Sequence, residues 1–259
     1  QMAEEGKLPD DLLQEMRELG LFGLTIPEEY GGLGLTMEEE ILVSMALGHT
    51  SPAFRSIMGT NNGIGSAAIV FNGTEAQKQK YLPKYASGEW ISCFCLTEPE
   101  AGSDAASLRT TARRDGDHYV INGTKRDSTN APVAHTFNVM ARTDPEVKGA
   151  RGISSFIVER DTPGITLGSI DKKMGQSGSM TCDVIFEDVR VPAENIIGEE
   201  GEGFITAMKV LDRGRLHISG VSIGVAKRLI ADALDYAMQR KQFGQPIAEQ
   251  QLIQAMLAD

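Results

Sequence analysis

The residue types best suited to chemistry crowd one stretch, Cys95-Leu96-Thr97-Glu98-Pro99-Glu100-Ala101-Gly102-Ser103-Asp104. A β-rich run ends there in a loop dense in hydroxyls, glycine and carboxylates. Such a loop either binds something or is an ordinary solvated turn, and pattern alone leaves both open. Gly63-Ile64-Gly65-Ser66-Ala67-Ala68 has the look of a dinucleotide fingerprint, but that motif needs a strand before it. Here the preceding segment reads as helix, so close helix packing is the better account. The 4 histidines, His49, His118, His135 and His217, have no spacing that gathers metal ligands. Cys93 and Cys95 share one strand face and read as small hydrophobes, and no Ser-His-Asp arrangement is legible. Farther on, Arg215 interrupts an apolar helical stripe, with Asp212 one turn before it. An i,i+3 ion pair is worth only ~0.2–0.5 kcal/mol. A charge on a buried face is costly without a partner.

The elements that must position these residues run helices, strands, helices. Residues 9–20 carry Leu12, Leu13, Met16 and Leu19 at helical spacing behind Pro9. Thr36 and Glu39 form a capping-box pattern opening a helix that stops near Gly48. Helices are expected over residues 52–71, interrupted by Gly59, Gly63 and Gly65, and over 74–86, ending at Gly88. Between Trp90 and Pro192 the apolar runs shorten and alternate, predicting strands at 91–97, 108–114, 119–122, 137–142, 153–159 and 182–186. Asp115-Gly116 and Asn122-Gly123 both carry the signal of a tight hairpin turn. Strands so spaced suggest a small barrel or sandwich. From Phe204 a long helix follows, with Met208, Leu211, Arg215, Ile218, Val221, Val225, Leu229 and Ala233 on its expected buried stripe. It reaches Arg240, and another helix starts near Glu249.

Composition narrows the function. The 25 basic and 36 acidic residues leave a net charge of −11, a poor match to nucleic acid. No apolar run approaches the ~20 residues of a membrane span. The start, with Glu4, Glu5, Asp10 and Asp11, lacks the apolar core of a signal peptide. Three cysteines cannot all pair within the chain, which favours a reducing compartment.

The loop at 95–104 closely resembles the flavin-binding signature of the acyl-CoA dehydrogenase family. Pro27-Glu28-Glu29-Tyr30-Gly31-Gly32, Asn122-Gly123-Thr124-Lys125, Asp188-Val189-Arg190-Val191-Pro192 and Arg240-Lys241-Gln242-Phe243-Gly244 extend the resemblance over nearly the whole chain. It implies an α+β multidomain fold: an all-α N-terminal domain (1–89), a central β-barrel-like domain (90–197) and the start of a C-terminal four-helix bundle (198–259). The chain would begin inside the family's first helix and stop inside its bundle. The implied activity is FAD-dependent α,β-dehydrogenation of an acyl-CoA thioester: a carboxylate removes the α-proton while a hydride passes to the flavin. An electron-transferring flavoprotein is the implied acceptor, a homo-oligomer of the dimer-of-dimers kind the implied assembly, and bacterial cytoplasm or the mitochondrial matrix the implied location.

Residue by residue, the resemblance puts Phe94, Leu96 and Thr97 along the flavin, with Thr97 a hydrogen-bond partner of the ring, and Ser103 against the acyl-CoA. Thr129 matches a further flavin contact. Ahead of it, Asp127 and Ser128 replace the family's usual aromatic and aliphatic pair. Either flavin affinity is weakened by the charge, or the loop is rearranged and Asp127 faces water. Asp212 and Arg215 fall beside the thioester. Arg240, Gln242, Phe243, Gln250 and Gln251 match residues reaching the FAD of a neighbouring subunit, although Arg240 alone also fits a basic helix C-terminus. Gly214 occupies the position of the catalytic base in one branch and cannot abstract a proton. No residue of this chain is therefore expected to be the base, and the chain alone is expected to be inactive. Arg55 and Ser56 resemble an Arg-Ser pair of glutaryl-CoA dehydrogenase, suggesting a short acyl-CoA with an anionic end, glutaryl-like or the sulfinate of the related 3-sulfinopropanoyl-CoA desulfinases. The bland alternative is a structural Arg near a helix start. Rival readings are a non-oxidising homologue, and a non-catalytic relative that binds CoA or a partner.

Overall fold

Local sequence signals account for most of the helical first part of the computed structural model, which describes residues 6–259. Glu4 and Glu5 of the acidic start lie outside the described residues. Helix α1, Asp10–Glu18, follows Pro9, with two aspartates in its first turn and Arg17 in its last, both complementing the helix dipole. Helix α2, Met37–Gly48, opens on the expected capping box: the Glu39 amide donates to Thr36 Oγ1 at 3.3 Å and the Thr36 amide to Glu39 Oε2 at 2.9 Å. Helix α5, Glu75–Ala86, repeats the device with Thr74 and Gln77.

The single helix expected over 52–71 is broken. Helices α3, Pro52–Gly59, and α4, Ala67–Asn72, are separated by a π-helical stretch, Thr60–Gly65. Its two asparagines explain the wider turn. Asn61 Nδ2 donates to Tyr85 O at 2.9 Å, while Asn61 Oδ1 accepts from the Ser92 amide at 2.8 Å and from its hydroxyl at 3.0 Å. Asn62 Nδ2 donates to Leu21 O. These side-chain bonds to distant segments compensate for the disturbed helical ladder. A Cβ at Gly65 would strike Ser92, so the glycine pattern serves close packing, as its sequence context suggested.

Seven strands form one curled sheet: β1 Ser92–Cys95, β2 Thr111–Asp115, β3 His118–Thr129, β4 Thr136–Arg142, β5 Ile153–Glu159, β6 Ile165–Leu167 and β7 Thr181–Pro192. Their order is β1-β4-β2-β3-β7-β6, with β5 along the other edge of β4. Cys93, Ile121, Phe137, Val139, Phe156, Cys182 and Phe186 alternate into its core. Asp115-Gly116 is the hairpin turn between β2 and β3, with Gly116 at φ 64°. Asn122-Gly123 is not a turn. It lies inside β3 at a bulge against β7, where Asn122 Oδ1 accepts from the Asp188 amide at 2.8 Å. Gly123 is required there for a different reason: at φ 151° it lies against Thr110, which fills the place of a Cβ.

Helix α6, Gly203–Gln239, is 37 residues long. Its buried face differs from the expected stripe, being built from Ala207, Val210, His217, Gly220, Val221 and Gly224. Phe204, Met208 and Leu211 lie on its flank beside a cleft, while Leu229 is 62% exposed. The face is shifted because α6 meets α2 through glycine: a Cβ at Gly224 would collide with the Met45 backbone, and one at Gly48 with that of Val221. No helix among the described residues is long and apolar enough to cross a membrane. Replacing Gly224 by Ala should force the helices apart and lower stability by roughly 1–3 kcal/mol, the usual cost of overpacking. Thermal denaturation of parent and variant checks this, and an unchanged midpoint would contradict the contact.

Candidate active site

Strand β1 sets one wall of the cleft. Cys93 and Cys95 turn into the sheet core, so the alternation presents Phe94 and, past the strand end, Leu96 and Thr97 to a cleft of about 510 Å³. The loop after β1 brings Ser103 and Asp104 to the rim. Strand β3 supplies Arg126, Asp127 and Thr129. Opposite them stand Thr60 and Ile64 of the π-helical stretch, and Phe204, Met208, Leu211 and Arg215 of α6. Thr97 and Ser103 of the loop after β1 and Thr129 of β3 therefore border one groove.

A second compartment of about 610 Å³ continues past Thr60, Ile64, Asp127 and Thr129 to Arg55, Ser56, Lys173 and Gln176. Ser56 Oγ donates to Gln176 Oε1 at 2.9 Å. Asp127 is exposed, at φ 53°, because a second register shift between β3 and β7 throws it out of the ladder. Asp tolerates this left-handed conformation better than a bulky residue. Ser128 is buried instead and accepts from Cys95 Sγ at 3.7 Å. Arg126 is committed to Asp183, with Nε and Nη2 at 3.2 and 3.1 Å from its two oxygens.

Arg215 and Asp212 are paired at 2.6 Å, but both side chains are 70% exposed, which corrects the expectation of a charge on the buried face. Arg215 reaches the cleft from the helix flank, so no burial cost argues for its role. Gly214 lies near the cleft too: a Cβ there would meet the Ile64 methyl at 3.3 Å. Arg240, Gln242, Phe243, Gln250 and Gln251 are not brought to this cleft. Arg240 follows α6, Gln242 and Phe243 belong to a small hairpin, β8 Lys241–Gln242 and β9 Gln245–Pro246, and Gln250 and Gln251 open α7, Gln251–Ala258. At 1.5 Å rise per residue, Arg240 is about 48 Å along the helix from Met208.

Sequence reasoning missed Thr60 and Ile64, which sit in the glycine-rich stretch read only for packing. It also missed Lys173 and Gln176, in a loop whose sole signal is Gly175-Gln176-Ser177-Gly178. The buried neighbours of Arg55 behind the second compartment, His217 and Glu40, were equally illegible. Arg55 Nη2 lies 3.3 Å from His217 Nδ1, and Glu40 Oε1 lies 3.8 Å from the same nitrogen. Burial holds the Arg55 pKa below its ordinary value, and the Glu40 charge recovers part of that shift. Arg55 Nε and His217 Nε2 are buried without protein partners.

The chain belongs to the acyl-CoA dehydrogenase family. The family's N-terminal domain matches residues 1–89, its middle domain 93–189 and its C-terminal domain 201–259. An acyl-CoA dehydrogenase of Bacillus subtilis is 42% identical over 258 residues, which is 100% of this chain and 68% of that protein. The caffeyl-CoA reductase-Etf complex subunit CarC of Acetobacterium woodii is 40% identical over 259 residues, again 100% and 68%. Among solved structures, butyryl-CoA dehydrogenase from Megasphaera elsdenii superposes with a TM-score of 0.95 at 39% identity, covering 99% of this chain and 68% of that one. An acyl-CoA dehydrogenase from Bacillus anthracis complexed with FAD gives 0.90 at 44% identity, over 96% and 43%. A glutaryl-coenzyme A dehydrogenase–glutaryl-CoA complex gives 0.92 at 36%, over 99% and 65%. The family consists of FAD-binding oxidoreductases acting on the CH–CH bond of acyl-CoA thioesters, and the helical start, curled sheet and long helix of this chain are its fold.

His217 gives the site a measurable pH signature. Burial, and then the Arg55 guanidinium, push its pKa down to about 3. An unfolded imidazole titrates near ~6.5, so the folded state refuses a proton that the unfolded chain accepts. This contribution is complete above that value and is lost as pH falls toward 3. Glu40 acts in the opposite sense, because burial raises its pKa against the pull of Arg213 and Arg55. A His217→Gln variant keeps Glu40 and isolates the imidazole. Between about pH 7 and 4.5 the parent should lose about 2–3 kcal/mol more than the variant in urea denaturation. Parallel pH profiles would contradict the buried neutral ring.

Proposed function

We propose that the protein is an FAD-dependent acyl-CoA dehydrogenase whose cleft holds the flavin ring and the acyl thioester together. The observation that carries this reading is the convergence of Thr97, Ser103 and Thr129 on one cleft of about 510 Å³. The cleft suits a flat ring with one polar edge. Phe94, Leu96, Met208 and Leu211 give it apolar surface, and Thr97 and Thr129, which also line it, are assigned as hydrogen-bond partners of that edge. Bound there, FAD supplies a hydride acceptor. Phe94 and Leu96 exclude water from the reacting face, and Ser103 orients the thioester from the rim. Gly214 offers no base, so proton removal is assigned to a carboxylate elsewhere in the protein. Arg240, Gln242, Phe243, Gln250 and Gln251, far from their own cleft, are assigned to the FAD of a second copy. An electron-transferring flavoprotein is the proposed acceptor, in keeping with the relative named as part of an Etf complex.

The substrate is proposed to be a short acyl-CoA with an anionic end, held by Arg55 in the second compartment. Glu40, only 2% exposed, offsets part of that guanidinium's charge, so the preference should be moderate. Arg55→Gln should cut kcat/KM for glutaryl-CoA about tenfold relative to butyryl-CoA. An unchanged ratio would refute the anionic-end assignment.

Asp127 favours a second reading, a homologue that decarboxylates or desulfinates its substrate without net oxidation. A carboxylate on the cleft wall opposes accumulation of negative charge on a reduced flavin. Anaerobic substrate addition separates the two: lasting bleaching of the visible flavin band is expected for the dehydrogenase, and an unbleached flavin with turnover identifies the alternative. In either case Asp127→Asn should raise the flavin reduction potential, measured by dye equilibration. A potential that does not rise would place Asp127 outside the field of the ring.

A further inference from the structure

Between the end of β1 and the short turn Ala105–Ser107, the loop that carries Thr97 and Ser103 has no ladder to fix it. Beneath it lies a buried ion pair. Lys125 is 0% exposed and Glu98 7%. Lys125 Nζ donates to Glu98 Oε1 at 2.8 Å and to the Leu96 carbonyl at 3.2 Å. Glu98 also accepts from the Arg109 amide at 2.6 Å, the Thr110 amide at 2.9 Å and the Thr110 hydroxyl. One carboxylate thus gathers both ends of the loop and joins them to β3, two residues before Asp127 and four before Thr129. Glu98 and Ala101 exchange backbone hydrogen bonds above it, and the Thr97 carbonyl accepts from the Arg126 amide at 2.8 Å.

We propose that Lys125 and Glu98 are positioning residues: their buried pair sets the Thr97–Ser103 rim against the Thr129 wall, and through that spacing governs how tightly the cleft holds its flavin. This rests on reading the cleft as the flavin site. The ammonium is satisfied by a loop carbonyl and a loop carboxylate, so its loss frees the loop. The carboxylate is left buried with only amides and a hydroxyl, an arrangement that invites water and local opening. Charge is the working property. Neutralising both partners removes the reason for the loop to open, whereas removing one creates it.

Amide hydrogen exchange and flavin binding on the purified protein test the proposal. In Lys125→Met, the Arg109 and Thr110 amides and residues 97–107 should exchange at least about tenfold faster, while the paired amides of β4 and β5 keep their parent rates. The FAD dissociation constant, read by quenching of flavin fluorescence, should rise about tenfold. The double variant Lys125→Met/Glu98→Gln should return both quantities to within about threefold of the parent. If Lys125→Met does not fold, Glu98→Gln provides the single-variant comparison. Faster exchange spread evenly over the sheet, unchanged Arg109 and Thr110 amides, or no recovery in a folded double variant would overturn the proposal. A parent that binds no FAD would instead count against the function proposed above, and the exchange comparison would still read the pin.

Discussion

A single buried amide determines where the cleft can exist. Asn61 is 0% exposed and joins the helical part to the sheet by donating to Tyr85 O and accepting both the amide and the hydroxyl of Ser92. Ser92 begins β1, and β1 pairs in parallel with β4 through Phe137, Asn138 and Val139. The amide therefore sets the height of Phe94, Leu96 and Thr97 against Thr60 and Ile64 on the facing wall. A π-helical turn is an unstable way to run a backbone unless its distorted ladder is compensated. Here the compensation is the same set of bonds that docks the two parts, so strain and site geometry have one origin.

Much of this architecture is legible wherever a local interaction decides it. Thr36 and Glu39 cap α2 because both partners lie within one turn. Asp115-Gly116 turns a hairpin because φ above zero is needed there and nothing else competes. The failures are places where a distant partner wins. Asn122-Gly123 carries the same local signal, but the 12 residues of β7 pair along β3 and absorb it as a bulge. The buried face of α6 departs from the expected stripe because glycines share it with Ala207, Val210 and Val221, since α2 approaches too closely there for larger side chains. The cleft residues Thr60 and Gln176 carry no signal of a site beyond nearby glycines, because their roles depend on a π turn and an irregular loop.

Electrostatics around the cleft shows a division between spent and unspent charge. Arg126 is held bidentate by Asp183, and Arg215 is paired with Asp212 in solvent, where such a pair is worth little. Lys125 is fully committed to Glu98 and Leu96 O. Arg55 is different. Its Nε has no protein partner, its neighbour His217 is neutral, and Glu40 reaches it only as a nearby charge. A chain with a net charge of −11 that keeps the half-buried Arg55 guanidinium incompletely paired beside a polar compartment has a place suited to an anion.

The two halves of α6 answer to different demands. Its first half is packed by Ala207, Val210, His217 and Val221 and presents a flank to the cleft. Its second half leaves Leu229, Ile230, Leu234 and Tyr236 between 46% and 62% exposed among the described residues. Scattered exposed apolar residues need no explanation, but a row along one helix is costly to hydrate. The row leads to the hairpin with Phe243, 96% exposed at φ 50°. Helix rigidity holds that hairpin roughly 38 Å beyond Arg215, the last α6 residue to line the cleft, and no loop bends it back. In the proposed reading, burial of the row and delivery of Arg240 and Phe243 to a flavin are one event. The same contact that hides the apolar face would carry these residues to a second cleft.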